Sequence, residues 1–154
     1  MSDDFYQEVA DKFIFSVKKG LLYTENDVWT KIKDGEAQFG VTDFLQRRGG
    51  DVVFVELPKK GSTVRRGEEI SSFETIKAVV SIASPFDGVI TEVHTILNDE
   101  PELINEDPYG EGWLALISPS HLEEDKRYLM TAEKYFELMK SKIKDELKSS
   151  KREV

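Results

Sequence analysis

Ser71-Ser72-Phe73-Glu74-Thr75-Ile76-Lys77-Ala78-Val79-Val80-Ser81-Ile82-Ala83-Ser84-Pro85 reads as a β-hairpin with a lysine at its turn. Gly67-Glu68-Glu69-Ile70 is a turn running into the first strand. Val79, Val80 and Ile82 are β-branched, a composition that fits a pleated, half-buried surface. Pro85 ends the second strand because it has no N–H to give to a ladder. Lys77 therefore lies at or beside the tip. A lysine on a rigid, exposed tip suits modification and presentation to other proteins, since its amine is a compact nucleophile once deprotonated, on a long stem. On local pattern alone, a turn lysine that only keeps the surface soluble is the commoner case, and the surrounding chain has to decide.

At 154 residues the chain is long enough for one domain with its own core, and 9 Phe, 5 Tyr and 2 Trp can fill it. A net charge of −9 argues against nucleic acid and against an anionic membrane surface. No apolar run approaches the length of a membrane span, and Met1-Ser2-Asp3-Asp4 lacks a basic leader pattern, so a cytoplasmic protein is expected. With no cysteine the chain has no thiol of its own, and any sulfur chemistry must come from a cofactor.

Taken in order, residues 3–18 are expected to form a packing helix, because Phe5, Tyr6, Val9, Ala10, Phe13, Ile14 and Val17 recur at three- and four-residue spacing before Gly20. Asp27 to Ile32 and Ala37 to Val41 read as strands joined by an Asp34-Gly35 turn. Thr42 to Arg48 reads as one short helix capped by Thr42 or Asp43 and broken by Gly49-Gly50. Asp51 to Leu57 is a β-prone run stopped by Pro58. Gly88 to Leu97 and Trp113 to Ile117 are further strands, with an irregular loop over 101–112 between them. That loop's acids suit a calcium loop by composition, but the spacing is not that of an EF-hand, and a solvated loop is the reading adopted. Short strands separated by turns indicate a small antiparallel sandwich or flattened barrel. From Ser118 helix formers take over: a short helix over Leu122 to Met130, then a longer one capped by Thr131 with Ala132, Tyr135, Phe136, Met139, Ile143 and Leu147 in one stripe, fraying beyond Lys148. His94, expected to face solvent, and His121, at a helix start, are isolated, without metal-site or nucleophile–base spacing, so no catalysis by this chain is expected. The division expected is an N-terminal packing helix over 1–20, a β domain over 21–119 and C-terminal helices over 120–154.

Glu74-Thr75-Ile76-Lys77-Ala78 resembles the lipoylation site of the glycine cleavage H-protein family: Glu, a small hydroxyl residue, a branched aliphatic, the lipoyl lysine, then Ala. The resemblance continues in Gly40-Val41-Thr42-Asp43, in Gly50 to Pro58, in Ser84-Pro85-Phe86-Asp87-Gly88-Val89-Ile90 and in Asp99 to Leu114, in the family's order and over residues 21–119. A biotin carrier is the nearest competitor, but Ile76 and Ala78 replace its flanking methionines. The turn at Gly67 is similar to the one before the hairpin in lipoyl domains. The resemblance implies a lipoyl-domain-like β sandwich, mainly β with flanking N-terminal and C-terminal helices, and Lys77 at a sheet's turn.

It also implies lipoic acid amide-linked to Lys77 as a swinging arm on a non-catalytic, monomeric carrier, with Glu74 and Ala78 read by a lipoate-protein ligase. The implied partners are a dihydrolipoyl dehydrogenase-type enzyme, a glycine decarboxylase and an aminomethyltransferase. In that family two carboxylates hold the loaded amine, one in a His-Glu-Trp motif and one four residues after the lysine. Aligned on Trp29, those positions here are Val28 and Ser81, with Asp27 at the His, so Glu25 or Asp27 would have to substitute. The two replacements favour an H-like carrier of sulfur intermediates working with a heterodisulfide-reductase-like complex over an aminomethyl carrier. An unlipoylated interaction module is a third reading, opposed by the intact Glu74–Ala78 motif.

Overall fold

The computed structural model describes residues 4–152, with side chains through Lys148. Its first feature corrects the expected N-terminal helix. Residues Phe5–Ala10 (β1) and Phe13–Lys18 (β2) form an antiparallel hairpin, with Tyr6 opposite Val17 and Glu8 opposite Phe15. Phe13, Phe15 and Val17 satisfy a period of two as well as they satisfy a helix. Asp11 adopts φ 54° at the turn, a left-handed conformation that Asp tolerates better than most residues. Tertiary packing settles the ambiguity: Phe15 and Val17 are buried on the body, and the backbone N–H of Ser16 donates to Asp43 Oδ2 at 2.9 Å.

Leu22–Tyr23 (β3), Val28–Lys33 (β4) and Glu36–Val41 (β5) follow. The β4–β5 turn places Asp34 and Gly35 both at positive φ, the geometry that matches strand twist in a two-residue hairpin. Helix α1, Asp43–Gly49, starts as expected: Thr42 accepts the Leu45 N–H on its side chain. Then come Val52–Glu56 (β6), Thr63–Val64 (β7), Glu69–Thr75 (β8), Val79–Ala83 (β9) and Gly88–Val93 (β10). β10 stops short of the expected Leu97, because Thr95–Asn98 turns as a 3-10 helix that buries Leu97. The acidic loop is more ordered than its composition suggested: it contains Leu103–Glu106 (α2), with Ile104 wholly buried.

Ala115–Pro119 (β11) is followed by Leu122–Asp125 (α3), shorter than expected, since Lys126–Tyr128 tightens to a 3-10 turn and Met130–Thr131 (β12) joins the sheet. The last helix, Ala132–Arg152 (α4), has Thr131 Oγ1 accepting the Lys134 N–H and stays helical past Lys148. Its stripe packs as expected at Ala132, Tyr135, Met139 and Ile143, whereas Leu147 remains 40% exposed.

The strands make a seven-stranded sheet in the order β12-β3-β4-β5-β11-β10-β7 and a three-stranded sheet β6-β8-β9. One core joins them: Val28, Phe39, Val41 and Ile117 from the larger sheet meet Val55, Phe73 and Ile82 from the smaller. Burying each such side chain contributes about 1.5–3 kcal/mol, so this shared core sets the small sheet, and the hairpin it carries, rigidly on the large one. A second cluster of Phe15, Val17, Trp29, Phe44, Tyr135 and Met139 seats α4 and the N-terminal hairpin. No helix among the described residues is long and apolar enough to cross a membrane.

Candidate functional site at the β8–β9 tip

Strands β8 and β9 pair Ser72 with Ser81, Phe73 with Val80 and Glu74 with Val79. The tip Thr75-Ile76-Lys77-Ala78 is then closed by Thr75. Its N–H donates to the Ala78 carbonyl at 2.9 Å. Its hydroxyl oxygen accepts the N–H groups of Ala78 (3.1 Å) and Lys77 (3.3 Å). The side chain takes the amide hydrogen that a ladder carbonyl would otherwise accept, a local substitution open to Ser and Thr. Lys77 is exposed, and its ammonium has no hydrogen-bond or ion-pair partner among the described residues. Around it, Ile76 is 94% exposed and Val79 63% exposed, and Glu74 and Ala78 also face outward. Glu74, Ile76, Ala78 and Val79 are thus exposed around the lysine, while Thr75 is buried.

The base of the hairpin is held against the end of α1. A Cβ on Gly49 would lie 2.8 Å from the Phe73 ring and 3.2 Å from Val80, so only glycine admits this approach. Gly50, at φ 93°, lies under the Lys77 stem, whose Cε would stand 3.4 Å from a Cβ there. Asn105 of α2 fixes this corner: its amide donates to Gln46 Oε1 (2.9 Å) and to the Gly50 carbonyl (3.0 Å), and its oxygen accepts the Val52 N–H (2.8 Å).

Beside the tip lies a cleft of about 560 Å³ whose polar lining includes Glu25, Asp27, Arg48, Glu69, Ser81 and Lys142. Three of the four arm-cleft candidates line it, and the fourth does not. Val28 is wholly buried in the shared core opposite Val41, so it cannot contribute to a polar cleft. Asp27 lines the cleft but is committed. Lys142 Nζ donates to both its oxygens at 2.9 and 3.0 Å, and the Tyr135 hydroxyl donates to Oδ1 at 2.7 Å. The Thr42–Tyr135 hydroxyl contact at 2.9 Å extends this buried chain. Ser81 donates to Glu69 Oε1 at 2.7 Å. Glu25 is exposed, with no cationic partner among the described residues, as is Glu69. Arg48 is engaged by Glu146 at 2.6 Å. Among the described residues the cleft therefore offers two carboxylates without an ion-pair partner, although Lys142, which lines it, donates to the Glu25 backbone carbonyl at 2.7 Å; such carboxylates suit a cationic amine.

Sequence reasoning missed Glu69. The family spacing directed attention to position 81 itself, whereas the carboxylate reaches the same place from the paired strand, where the register shifts between Glu69 and Ser71. His94 is not free in solvent as expected: its ring stacks on Trp113 at 4.1 Å between centroids, and Nε2 lies 2.9 Å from the Glu111 carbonyl. His121 stands exposed before α3. No group of three or more metal-ligating side chains occurs among the described residues.

The exposed tip is compatible with a long acyl group on Lys77, since among the described residues its ammonium is unpaired.

The family model described as glycine cleavage H-protein matches residues 21–142. The chain is 45% identical over 128 residues to a probable glycine cleavage system H protein of Pyrococcus abyssi, covering 82% of this chain and 95% of that protein. It is 38% identical over 147 residues to glycine cleavage system H protein 4 of Aquifex aeolicus, covering 94% of this chain and 81% of that one. A crystal structure of a glycine cleavage system H protein from Mycobacterium marinum superposes with a TM-score of 0.70 at 36% identity, over 77% of this chain and 95% of that one. The chain belongs to the glycine cleavage H-protein family, whose members are non-catalytic lipoyl carriers.

Proposed function

We propose that this family member carries lipoic acid in amide linkage on Lys77 and serves the glycine cleavage system as its aminomethyl carrier. The observation that carries the reading is the pairing of an exposed Lys77 on a tip fixed by Thr75 with a cleft in which Glu25 and Glu69 have no ion-pair partner among the described residues. When bound, the lipoyl group supplies a dithiolane that opens to accept cargo and closes on reoxidation. The chain's own residues do the rest. Thr75 holds the attachment point, Glu74, Ile76 and Ala78 are displayed to a lipoate-protein ligase, and Glu25 and Glu69 place negative charge where a loaded amine would be held.

The partners proposed with this reading are the ligase, a glycine decarboxylase, an aminomethyltransferase and a dihydrolipoyl dehydrogenase-type enzyme. A surface of net charge −9 helps steer the carrier toward basic patches on them. The sulfur-carrying role with a heterodisulfide-reductase-like complex, favoured by Val28, Ser81 and the expected N-terminal helix, is not taken up. Val28 belongs to the core, Ser81 holds a glutamate in the cleft, and the relatives cited carry glycine cleavage names.

The test is glycine–bicarbonate exchange with a glycine decarboxylase, using protein lipoylated on Lys77. Exchange at a rate comparable to a standard H-protein, abolished by Lys77→Arg, supports the reading. Negligible exchange with Lys77 fully modified contradicts it.

A further inference from the structure

A second depression, about 390 Å³ in volume, includes Lys77 in its lining and has three aromatic rings that the polar cleft lacks. Phe13, Phe15, Phe44, Ile143 and Leu147 form its apolar wall, and Lys77 lies with Asp11, Glu146 and two arginines along its charged rim. Three elements make its walls: the tip of the β1–β2 hairpin, α1, and the last turns of α4. Phe13 points to the same side of β2 as the buried Phe15 and Val17, yet it is 47% exposed, because the hairpin overhangs the body at this point. Leu147 faces the groove at the end of the α4 stripe and is 40% exposed. The inward faces of two elements thus meet without closing. Arg48 and Glu146, paired at 2.6 Å, both line this groove, and Arg48 also lines the polar cleft, so the ion pair stands where the two depressions adjoin.

We infer that the apolar groove is a second seat for the arm on Lys77, occupied by the unloaded, oxidised lipoyl group, while the polar cleft takes the loaded amine. This rests on the proposed lipoylation of Lys77. Three observations converge on that occupant. The groove contains the attachment residue, so a group on Lys77 is delivered at high effective concentration. The aromatic lining suits a methylene chain ending in sulfur, which makes favourable contacts with ring edges. Finally, the family match begins at residue 21, so the wall that carries Phe13 and Phe15 lies outside it. The hairpin is pinned there by Asp43, which accepts the Ser16 N–H, and by the Tyr109 hydroxyl, which donates to the Ser16 carbonyl at 2.6 Å.

The experiment compares melting temperatures of the full chain with and without lipoylation in the oxidised state, with intact mass confirming modification of Lys77. A group that packs on the folded state and not on the unfolded chain raises the midpoint, here by about 2–4 °C. The rise should be lost in Phe13→Ser and in Leu147→Ser, each judged against its own unmodified form, and retained in Glu69→Gln, which lines only the polar cleft. A rise that survives both apolar-groove variants, a rise lost in Glu69→Gln, or no rise in the wild type with Lys77 modified overturns the inference. Failure of the ligase to modify Lys77 at all overturns the carrier reading, and the groove's role with it.

Discussion

Thr75 Oγ1 lies 3.1 Å from the amide nitrogen of Ala78, across a two-residue tip whose second residue is Lys77. One hydroxyl thereby replaces the closing ladder bond of the hairpin and also takes the N–H of Lys77. Thr75→Val keeps the shape and removes the acceptor, leaving two amides unpaired. The expected cost is about 1 kcal/mol of stability, with a slower rate of lipoylation because the tip is no longer held. Thr75→Ser should restore both. A ligase progress curve followed by mass, alongside urea unfolding, reads the two effects.

The contact between Lys142 and Asp27 is more buried than the Arg48–Glu146 pair that also borders the polar cleft. It closes α4 onto the turn before β4 and is only partly exposed, at 28% and 7% for the two side chains. Lys142→Met leaves a buried carboxylate with the Tyr135 hydroxyl alone. A loss of about 3 kcal/mol is expected, well above that of an exposed pair such as Lys60–Glu92, where removal should cost less than about 1 kcal/mol. Denaturant midpoints of the two variants decide whether burial accounts for the difference.

Glu25→Gln and Glu69→Gln test the charge in the cleft. Both residues are exposed at the cleft rim, and among the described residues the Glu69 carboxylate accepts only the Ser81 hydroxyl, so stability should change by less than about 0.5 kcal/mol. Each lost charge-assisted contact to an amine is worth about 1.5–3 kcal/mol. The double variant should therefore lower glycine–bicarbonate exchange at least tenfold while lipoylation proceeds at the wild-type rate. Equal exchange would remove both carboxylates from the amine-holding role.

Burial pushes the phenols of Tyr23, Tyr109 and Tyr135 above the ordinary tyrosine range, and the Asp27 carboxylate beside Tyr135 adds to it. The folded state thus keeps protons that the unfolded chain releases above about pH 10. With fewer protons bound in the unfolded state, stability falls as pH rises through that range. Melting temperature measured from pH 8 upward should stay level and then drop steeply above about pH 10. Phenolate absorbance from these three residues should appear only with unfolding.

The hairpin was legible because three local signals agree there: β-branched residues after Lys77, a strand-ending Pro85 and a family motif of ordered residue types. The helix α1 was legible from Thr42 and Gly49-Gly50 for the same reason, as cap and breaker sit at its two ends. The N-terminal hairpin was not, because Phe5 to Val17 satisfies both periodicities, and only its packing on Phe44 and α4 selects one. The cleft was half legible. Positions 28 and 81 were correctly seen to lack carboxylates, but a linear motif cannot reveal that Val28 turns into the core or that Glu69 arrives from the paired strand. Nor does it show that Asp27, nearest in sequence, is already neutralised by a lysine from a distant helix.

The central claim is that Lys77 bears the lipoyl arm. Co-expression with a lipoate-protein ligase, followed by proteolysis and peptide mass mapping, addresses it directly. The account predicts one lipoyl group per chain, located on the peptide containing Glu74–Ala78 and absent in Lys77→Arg. An unmodified Lys77 under conditions in which a standard H-protein is fully lipoylated, or modification at another lysine that persists in Lys77→Arg, would contradict it.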